Sequence, residues 1–345
     1  MIQYNALFYN CLLSIVKVLV FEYITGGGFN KQELPGSLAG EGSLMLNALL
    51  DNLIRLNRTG ANSLELTVML DWRLNNSIEA NTVIIRPEHD VTAEFARLVQ
   101  QADLVWPIAP EFDGILQNLC QIVESSGKVL LTSPSAAVAI VGNKLKTYER
   151  LKQHHIAAVP TQLFENAYLP GEWMIKPIDG VGCEDSYVID SRQDFERIAE
   201  QKSSYIIQPH LQGAKTSLSC LFKQGRGWLV CANLQRFEFT NQQYHLADIV
   251  VNHHPDPAPY QQLIDKIAHA FPELWGYVGI DLIENGQIWV LEINPRLTTS
   301  FVGIYNALGV NVAEVVLQLL DGEPILNPAC NKPITVQAKQ EINAS

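Results

Sequence analysis

Two carboxylates and one side-chain amide, Asp281, Glu292 and Asn294, stand in a largely apolar stretch from Gly279 to Arg296. The stretch reads as two strands joined at Asn285-Gly286, a strong short-range signal for a tight hairpin. A two-residue loop there sets Glu284 opposite Gln287 and Asp281 opposite Val290. Side chains alternate faces along a strand, so Glu292 and Asn294 then share a face with Asp281. The other face is expected to carry Ile280, Leu282, Trp289, Leu291 and Ile293. Oxygen ligands crowded in this way are costly to bury without a cation. The donor set suits a hard ion such as Mg²⁺ (or Mn²⁺), which is commonly bound through one or two carboxylates plus substrate phosphates.

Cationic partners for phosphate lie further upstream. Lys176 ends the strand Trp-Met-Ile-Lys-Pro and is followed by Asp179-Gly180-Val181-Gly182-Cys183-Glu184. Glycines let backbone N–H groups approach phosphate oxygens, and a nearby lysine neutralises them. The loop is neither a Walker A motif nor a dinucleotide fingerprint, and glycine turns between strands are common. Lys144, after Gly142-Asn143, opens a helical turn, with a solvated helix face as its plainer reading. Gln208-Pro209-His210-Leu211 ends an apolar strand. Proline donates no ladder hydrogen bond, so backbone groups are freed there for a nucleobase edge, or the segment is an ordinary edge strand. Arg296 follows Asn294-Pro295, where a guanidinium can grip a carboxylate or phosphate bidentately. The plainer alternative is an ion pair with Asp281 or Glu292. Arg236 has the same two readings with less support, and His253 and His254 read as solvent-facing.

The elements that must hold these residues fall into two patterns. From Lys17 to Thr132, strands (Lys17–Tyr23, Leu64–Leu70, Leu104–Ile108, Lys128–Thr132) alternate with helices near 42–56, 92–101 and 113–124. That alternation predicts an α/β domain with a parallel sheet, its ligands beyond the carboxyl ends of the strands, where Gly26 to Gly28 and Pro107 to Phe112 would lie. Residues 135–153 read as a helix broken at Gly142. Beyond Pro160 strands dominate, interrupted by helices near 194–200, 257–271 and 312–320, which implies α+β lobes. The tail after Asn327 is polar and expected to be loosely held.

With 345 residues the chain is long enough for two or three domains with cores, and 47% apolar content marks it as globular. A formal net charge of -12 and no long basic run argue against nucleic acid or an anionic membrane as a main partner. The six cysteines are dispersed with no C-x-x-C pair, and read as small buried hydrophobes in a reducing, cytoplasmic setting. Met1 to Ile15 lacks a positive charge and a clear cleavage site, and reads as an extension ahead of a natural start at Val16.

These pieces, in this order, resemble the ATP-grasp superfamily of carboxylate–amine ligases over most of the chain from Lys17 to about Leu320. The most specific part is Asp281 followed by Leu-Glu292-Ile-Asn294-Pro-Arg296. The resemblance implies residues 1–16 as an extension, an N-terminal α/β domain over 17–134 and a central lobe over 135–207. A C-terminal antiparallel-sheet lobe over 208–327 and a tail over 328–345 complete it. It implies ATP between the two lobes, with Lys144 and Lys176 on its phosphates and Gly180 and Gly182 in the mobile phosphate loop. Gln208, Pro209, His210 and Leu211 become the hinge beside adenine, and Asp281, Glu292 and Asn294 the magnesium ligands. Lys215 departs from the pattern, since many members place a ribose-binding acid there. Val20-Phe-Glu22-Tyr23-Ile-Thr-Gly-Gly-Gly28, Leu38-Ala-Gly-Glu41-Gly42 and Asn294-Pro-Arg-Leu-Thr-Thr-Ser300 look like the group that contains tyramine–glutamate ligase, which serves methanofuran biosynthesis.

The implied reaction activates a small-molecule carboxylate as its acyl phosphate, which an amine then converts to an amide. It needs alignment and charge neutralisation more than a protein nucleophile. Lys176 and Arg296 are the catalytic candidates, Arg296 steadying the transferring phosphoryl group. A homodimer is compatible with this reading. Three rivals stay open: a ligase for another amino acid or peptide, a non-catalytic nucleotide-binding regulator, and a dehydrogenase, which lacks the glycine fingerprint.

Overall fold

The computed structural model describes residues 15–58, 63–74, 78–165, 170–182, 185–199, 204–254 and 256–338. The expectation for the stretch before Ile15 falls outside these residues, as do Cys183 and Glu184 of the glycine loop.

The first unit is a five-stranded parallel sheet. Its strands are β1 (Val16–Glu22), β2 (Leu64–Asp71), β3 (Asn81–Ile85), β4 (Leu104–Ile108) and β5 (Val129–Leu130), in the order β3-β2-β1-β4-β5. The helices α1 (Gly36–Arg58), α2 (Val91–Gln101) and α3 (Ile115–Ser125) cover it. Val18 to Phe21 of β1 are all apolar and buried because a parallel strand covered on both faces needs an apolar centre. Two departures from the sequence reading have plain causes. α1 begins six residues earlier than expected, directly behind Pro35, whose carbonyl accepts from Ala39 N. β3 was absent from the expected strands because it is a short edge strand with mostly exposed side chains.

α4 (Ser135–Val141) and α5 (Lys144–Gln153) follow. The expected break at Gly142 is present, and Asn143 caps α5 by accepting from Lys146 N at 3.0 Å. The cap fixes Lys144 as the first helical residue.

Next comes a small four-stranded antiparallel sheet. It contains β6 (Gln162–Leu163), β7 (Trp173–Pro177), β8 (Tyr187–Ile189) and β9 (Tyr205–Pro209), in the order β6-β9-β7-β8. The helix α6 (Arg192–Ala199) packs Phe195 and Ile198 onto Ile175, Ile189 and Ile207.

The last unit is a six-stranded antiparallel sheet. Its strands are β10 (Ala214–Lys223), β11 (Arg226–Thr240), β12 (Gln243–Val251), β13 (Gly276–Glu284), β14 (Ile288–Asn294) and β15 (Ile334–Gln337), in the order β14-β13-β10-β11-β12-β15. One face packs on α7 (Ala258–Ala270), the other on α8 (Phe301–Leu308) and α9 (Val312–Asp321). The tail is not loose over its described part: β15 pairs with β12 from Asp248↔Gln337 to Val251↔Ile334. α8 is the helix the sequence reading lacked. Gly303 in its middle weakens the helical signal, yet a Cβ there would stand 2.8 Å from Val251 Cγ2, so the glycine lets α8 lie close on β12.

Leu46, Leu49 and Leu53 of α1 share one apolar core with Ile304, Ala307, Val312 and Val316 of α8 and α9. This core holds the first sheet against the last one. No single described helix is long and apolar enough to cross a membrane.

Candidate active site

The hairpin β13–β14 carries the oxygen cluster by a route the simple register does not describe. The turn has three residues, with Asn285 N donating to Gln287 O at 3.1 Å, so Glu284 faces Ile288 rather than Gln287. Alone, that slip would turn Glu292 to the wrong face. A bulge between Asp281 and Leu282 leaves Leu291 unpaired and restores the parity: Asp281 now faces Glu292, and Gly279 faces Asn294. The apolar face is corrected accordingly. Val290 joins Ile280, Leu282 and Ile293 in the core. Trp289 instead faces Ile283 and donates to Asn285 Oδ1, while Leu291 lines the cavity.

Two carboxylates directly opposed on a ladder repel. Burial, then the charge of Glu292, pushes the Asp281 carboxyl up to about 7, although Asn294 Nδ2 and Gln235 Nε2 each donate to it at 3.0 Å. Glu292 moves the other way. Burial opposes its charge, but Lys144 and Lys176 hold it below the usual carboxylate range, their Nζ atoms 3.5 and 3.9 Å from Oε2. Lys144 is only 8% exposed and donates to Gly180 O at 2.5 Å, so the solvated-face reading is overturned. The donor set fits a hard divalent cation: two carboxylates and an amide share one face, and one carboxylate resists ionisation until a positive charge arrives.

The cavity beside this cluster is lined by residues of all three sheets. Gln208, Pro209, His210 and Leu211 are among them. Gln208 is buried and donates to Thr161 Oγ1 at 2.7 Å. His210 is clamped between Glu172 and the Tyr244 hydroxyl, both at 2.9 Å, and its N–H is taken by Glu172 O. Lys215 lies over the Tyr244 ring, 4.0 Å from its centroid. Gly180 and Gly182 line the cavity too, and Gly182 has a φ of +63°, a conformation glycine adopts without strain.

Arg296 binds neither Asp281 nor Glu292. Its guanidinium makes a two-pronged pair with Glu111, at 2.9 and 3.0 Å, across the junction with the first sheet. Burial works against the Arg296 charge, and Glu111 more than restores it. Arg236 pairs with Asp248, and His253 and His254 are exposed. Cys120, Cys220 and Cys231 are buried as expected, but Cys330 is exposed.

Sequence reasoning missed several residues that line or support this cavity: Glu22, Glu41, Glu111, Gln235 and the Thr298–Ser300 loop. Glu22 and Glu41 did leave signals, as acids within an apolar strand and on the helix behind it.

Comparison with known proteins agrees with this geometry. Residues 141–300 match the ATP-grasp domain, and residues 64–138 match the pre ATP-grasp 3 domain. A tyramine–L-glutamate ligase from Methanocaldococcus fervens is 25% identical over 323 residues, covering 92% of this chain and 99% of that protein. An ATP-grasp superfamily protein from Archaeoglobus fulgidus superposes with a TM-score of 0.71 at 22% identity, covering 93% of this chain and 92% of the other. N5-carboxyaminoimidazole synthetase from Staphylococcus aureus, solved with ADP, gives a TM-score of 0.69 at 16% identity, covering 96% and 83%. By fold, domain matches and relatives together, the chain belongs to the ATP-grasp superfamily of carbon–nitrogen bond-forming carboxylate–amine ligases, close to the tyramine–glutamate ligase group.

Proposed function

We propose that this ligase joins glutamate to tyramine, or to an amine of similar build, through an acyl phosphate, with release of ADP and phosphate. The product, a γ-glutamyl amide, would serve assembly of a methanofuran-type cofactor. The observation that carries the reading is the meeting of Lys144 of α5 and Lys176 of β7 on Glu292 of β14. Two lysines from different elements converge on the acid pair, and with a metal ion on Asp281 and Glu292 both would be free to meet a polyphosphate.

Asp281, Glu292 and Asn294 would hold Mg²⁺ or Mn²⁺, which when bound offsets phosphate charge and orients the phosphoryl group. The remaining roles fall to this chain's own residues. Lys144 and Lys176 draw the phosphates toward the acid pair. Gly180 and Gly182 bring backbone close to them, and the loop excludes water that would hydrolyse the acyl phosphate. Gln208 to Leu211 sit beside the base. Arg296, kept charged and oriented by Glu111, faces the cavity where the phosphoryl group passes to the carboxylate.

The test is ADP release with glutamate plus tyramine, and with other amino-acid and amine pairs, followed by mass spectrometry of the product. Metal-dependent ADP release matched by the glutamyl amide is the expected result. Amide formation only with another pair would keep the ligase and change its substrates. ADP release with no pair at all would remove the reading.

A further inference from the structure

The ligase chemistry above leaves Glu22 and Glu41, two acids that line the cavity near the Arg296–Glu111 pair, without a role. Glu22 closes β1, Glu111 follows β4, and Glu41 stands on α1. The strand order reverses between β1 and β4, the place where open parallel sheets bind ligands beyond their carboxyl ends. One guanidinium, Arg296, answers all three acids: it pairs with Glu111, and its charge steadies both Glu22 and Glu41.

The three acids are not equivalent. Glu22 is saturated, accepting from Thr25 N at 2.7 Å, Thr25 Oγ1 at 2.6 Å and Ile24 N at 3.3 Å. It braces the turn after β1, pressed so close to α1 that a Cβ on Gly42 would stand 2.5 Å from its Oε2. Glu111 is committed to Arg296. Glu41 accepts one hydrogen bond among the described residues, 2.6 Å from Thr299 Oγ1 to Oε2, and lines the cavity. Leu38 and Met45 lie three residues before it and four after, so the acid sits between two apolar side chains on one helix face. Leu246 and Ile249 of β12 line the same cavity. Burial raises the Glu41 carboxyl above the usual range, with Thr299 and then Arg296 restraining the rise.

We propose that Glu41 receives the ammonium group of the acceptor amine, an amine with an apolar body, and takes the proton that must leave before its nitrogen attacks. The proposal rests on the ligase reading and assigns the amine end of that site. An excess of acid over guanidinium favours a cationic head and disfavours a carboxylate-rich donor such as glutamate, while Leu38 and Met45 fit the apolar body. The amine enters as –NH₃⁺ and passes one proton to Glu41. The nitrogen lone pair then forms the C–N bond at the acyl carbon, the C–O bond to phosphate breaks, and phosphate departs with the second N–H proton. Glu41 returns its proton to solvent. The balance is acyl phosphate plus ammonium giving amide, hydrogen phosphate and one proton.

Two nucleophiles separate this role from the rest of the reaction. Hydroxylamine is small and largely uncharged at neutral pH, so it captures the acyl phosphate as a hydroxamate without an ammonium site or a base. In Glu41→Gln, kcat/KM for tyramine should fall roughly 100- to 10,000-fold, the range of a positioned general base. ADP release with glutamate and hydroxylamine should stay within a few-fold of wild type. Glu41→Asp, which keeps the charge, should recover part of the tyramine rate. Met45→Ala should raise KM for tyramine without slowing the hydroxylamine reaction. Equal losses with both nucleophiles, or no loss with tyramine, would overturn the proposal. A wild-type protein that makes neither amide nor hydroxamate from any carboxylate would instead remove the ligase reading, and this assignment with it.

Discussion

The two acidic clusters beside the cavity solve the same electrostatic problem in different ways. On the β13–β14 hairpin, Asp281 and Glu292 face each other across one ladder, and relief comes from two lysines on other elements. At the first sheet, Glu22, Glu41 and Glu111 come from three separate segments and share one arginine. The hairpin's two acids are thus matched by two lysines, so a metal ion held there would free the lysines for a polyphosphate. The other cluster has surplus negative charge, as an ammonium site requires. On the reading proposed above, the contrast would divide the labour of a ligase, activation at the hairpin and amine capture beside the first sheet.

The strongest break in the comparison is Glu292→Gln. Removing the acid that both lysines touch should cut ADP release by about 10³-fold, comparable with losing a key transition-state stabiliser. Asp281→Asn should be similarly inactive, but it also removes the like charge opposite Glu292. Its melting temperature in nucleotide-free protein should therefore rise, and a fall would show that the acid pair stabilises the fold.

The next effect belongs to the arginine of the other cluster. Glu111→Gln leaves the Arg296 guanidinium buried without its two-pronged partner. Breaking a buried pair in this way should cost about 3 kcal/mol of stability by denaturant titration, along with a large loss of turnover. Unchanged stability would mean that another acid takes over Arg296. A smaller effect is expected from Gly42→Ala, whose Cβ must displace Glu22. Overpacking of this kind costs about 1–2 kcal/mol, and KM for the amine should rise several-fold while KM for ATP holds. The smallest is Lys215→Ala. Loss of a cation over the Tyr244 ring is worth roughly 0.5–1 kcal/mol, so KM for ATP should rise only two- to five-fold with kcat unchanged.

The hairpin cluster was legible in the sequence because its residues are neighbours in the chain. Period-two alternation and an Asn-Gly turn put Asp281, Glu292 and Asn294 on one face, even though the turn slips by one residue and a bulge slips it back. Parity survived two errors that cancel, and local pattern cannot reveal a bulge. Lys176 stood out beside its glycine loop and Lys144 only through the family resemblance, because the burial of Lys144 depends on packing that no helical pattern states. The other cluster was hidden for the opposite reason. Nothing in the spacing of Glu22, Glu41, Glu111 and Arg296 announces that they meet. Their meeting depends on the shared core of α1, α8 and α9, and part of that core, α8, was itself masked by Gly303. β3 and β15 escaped because short edge strands carry weak periodicity.

The most direct test of the central claim is metal-dependent ADP release by wild type and Glu292→Gln, with glutamate and tyramine present and the product weighed by mass spectrometry. The account predicts ADP and glutamyl amide in equal amounts from wild type, and about a thousandth of that rate from a folded Glu292→Gln. ADP release that persists in Glu292→Gln at near the wild-type rate would contradict it.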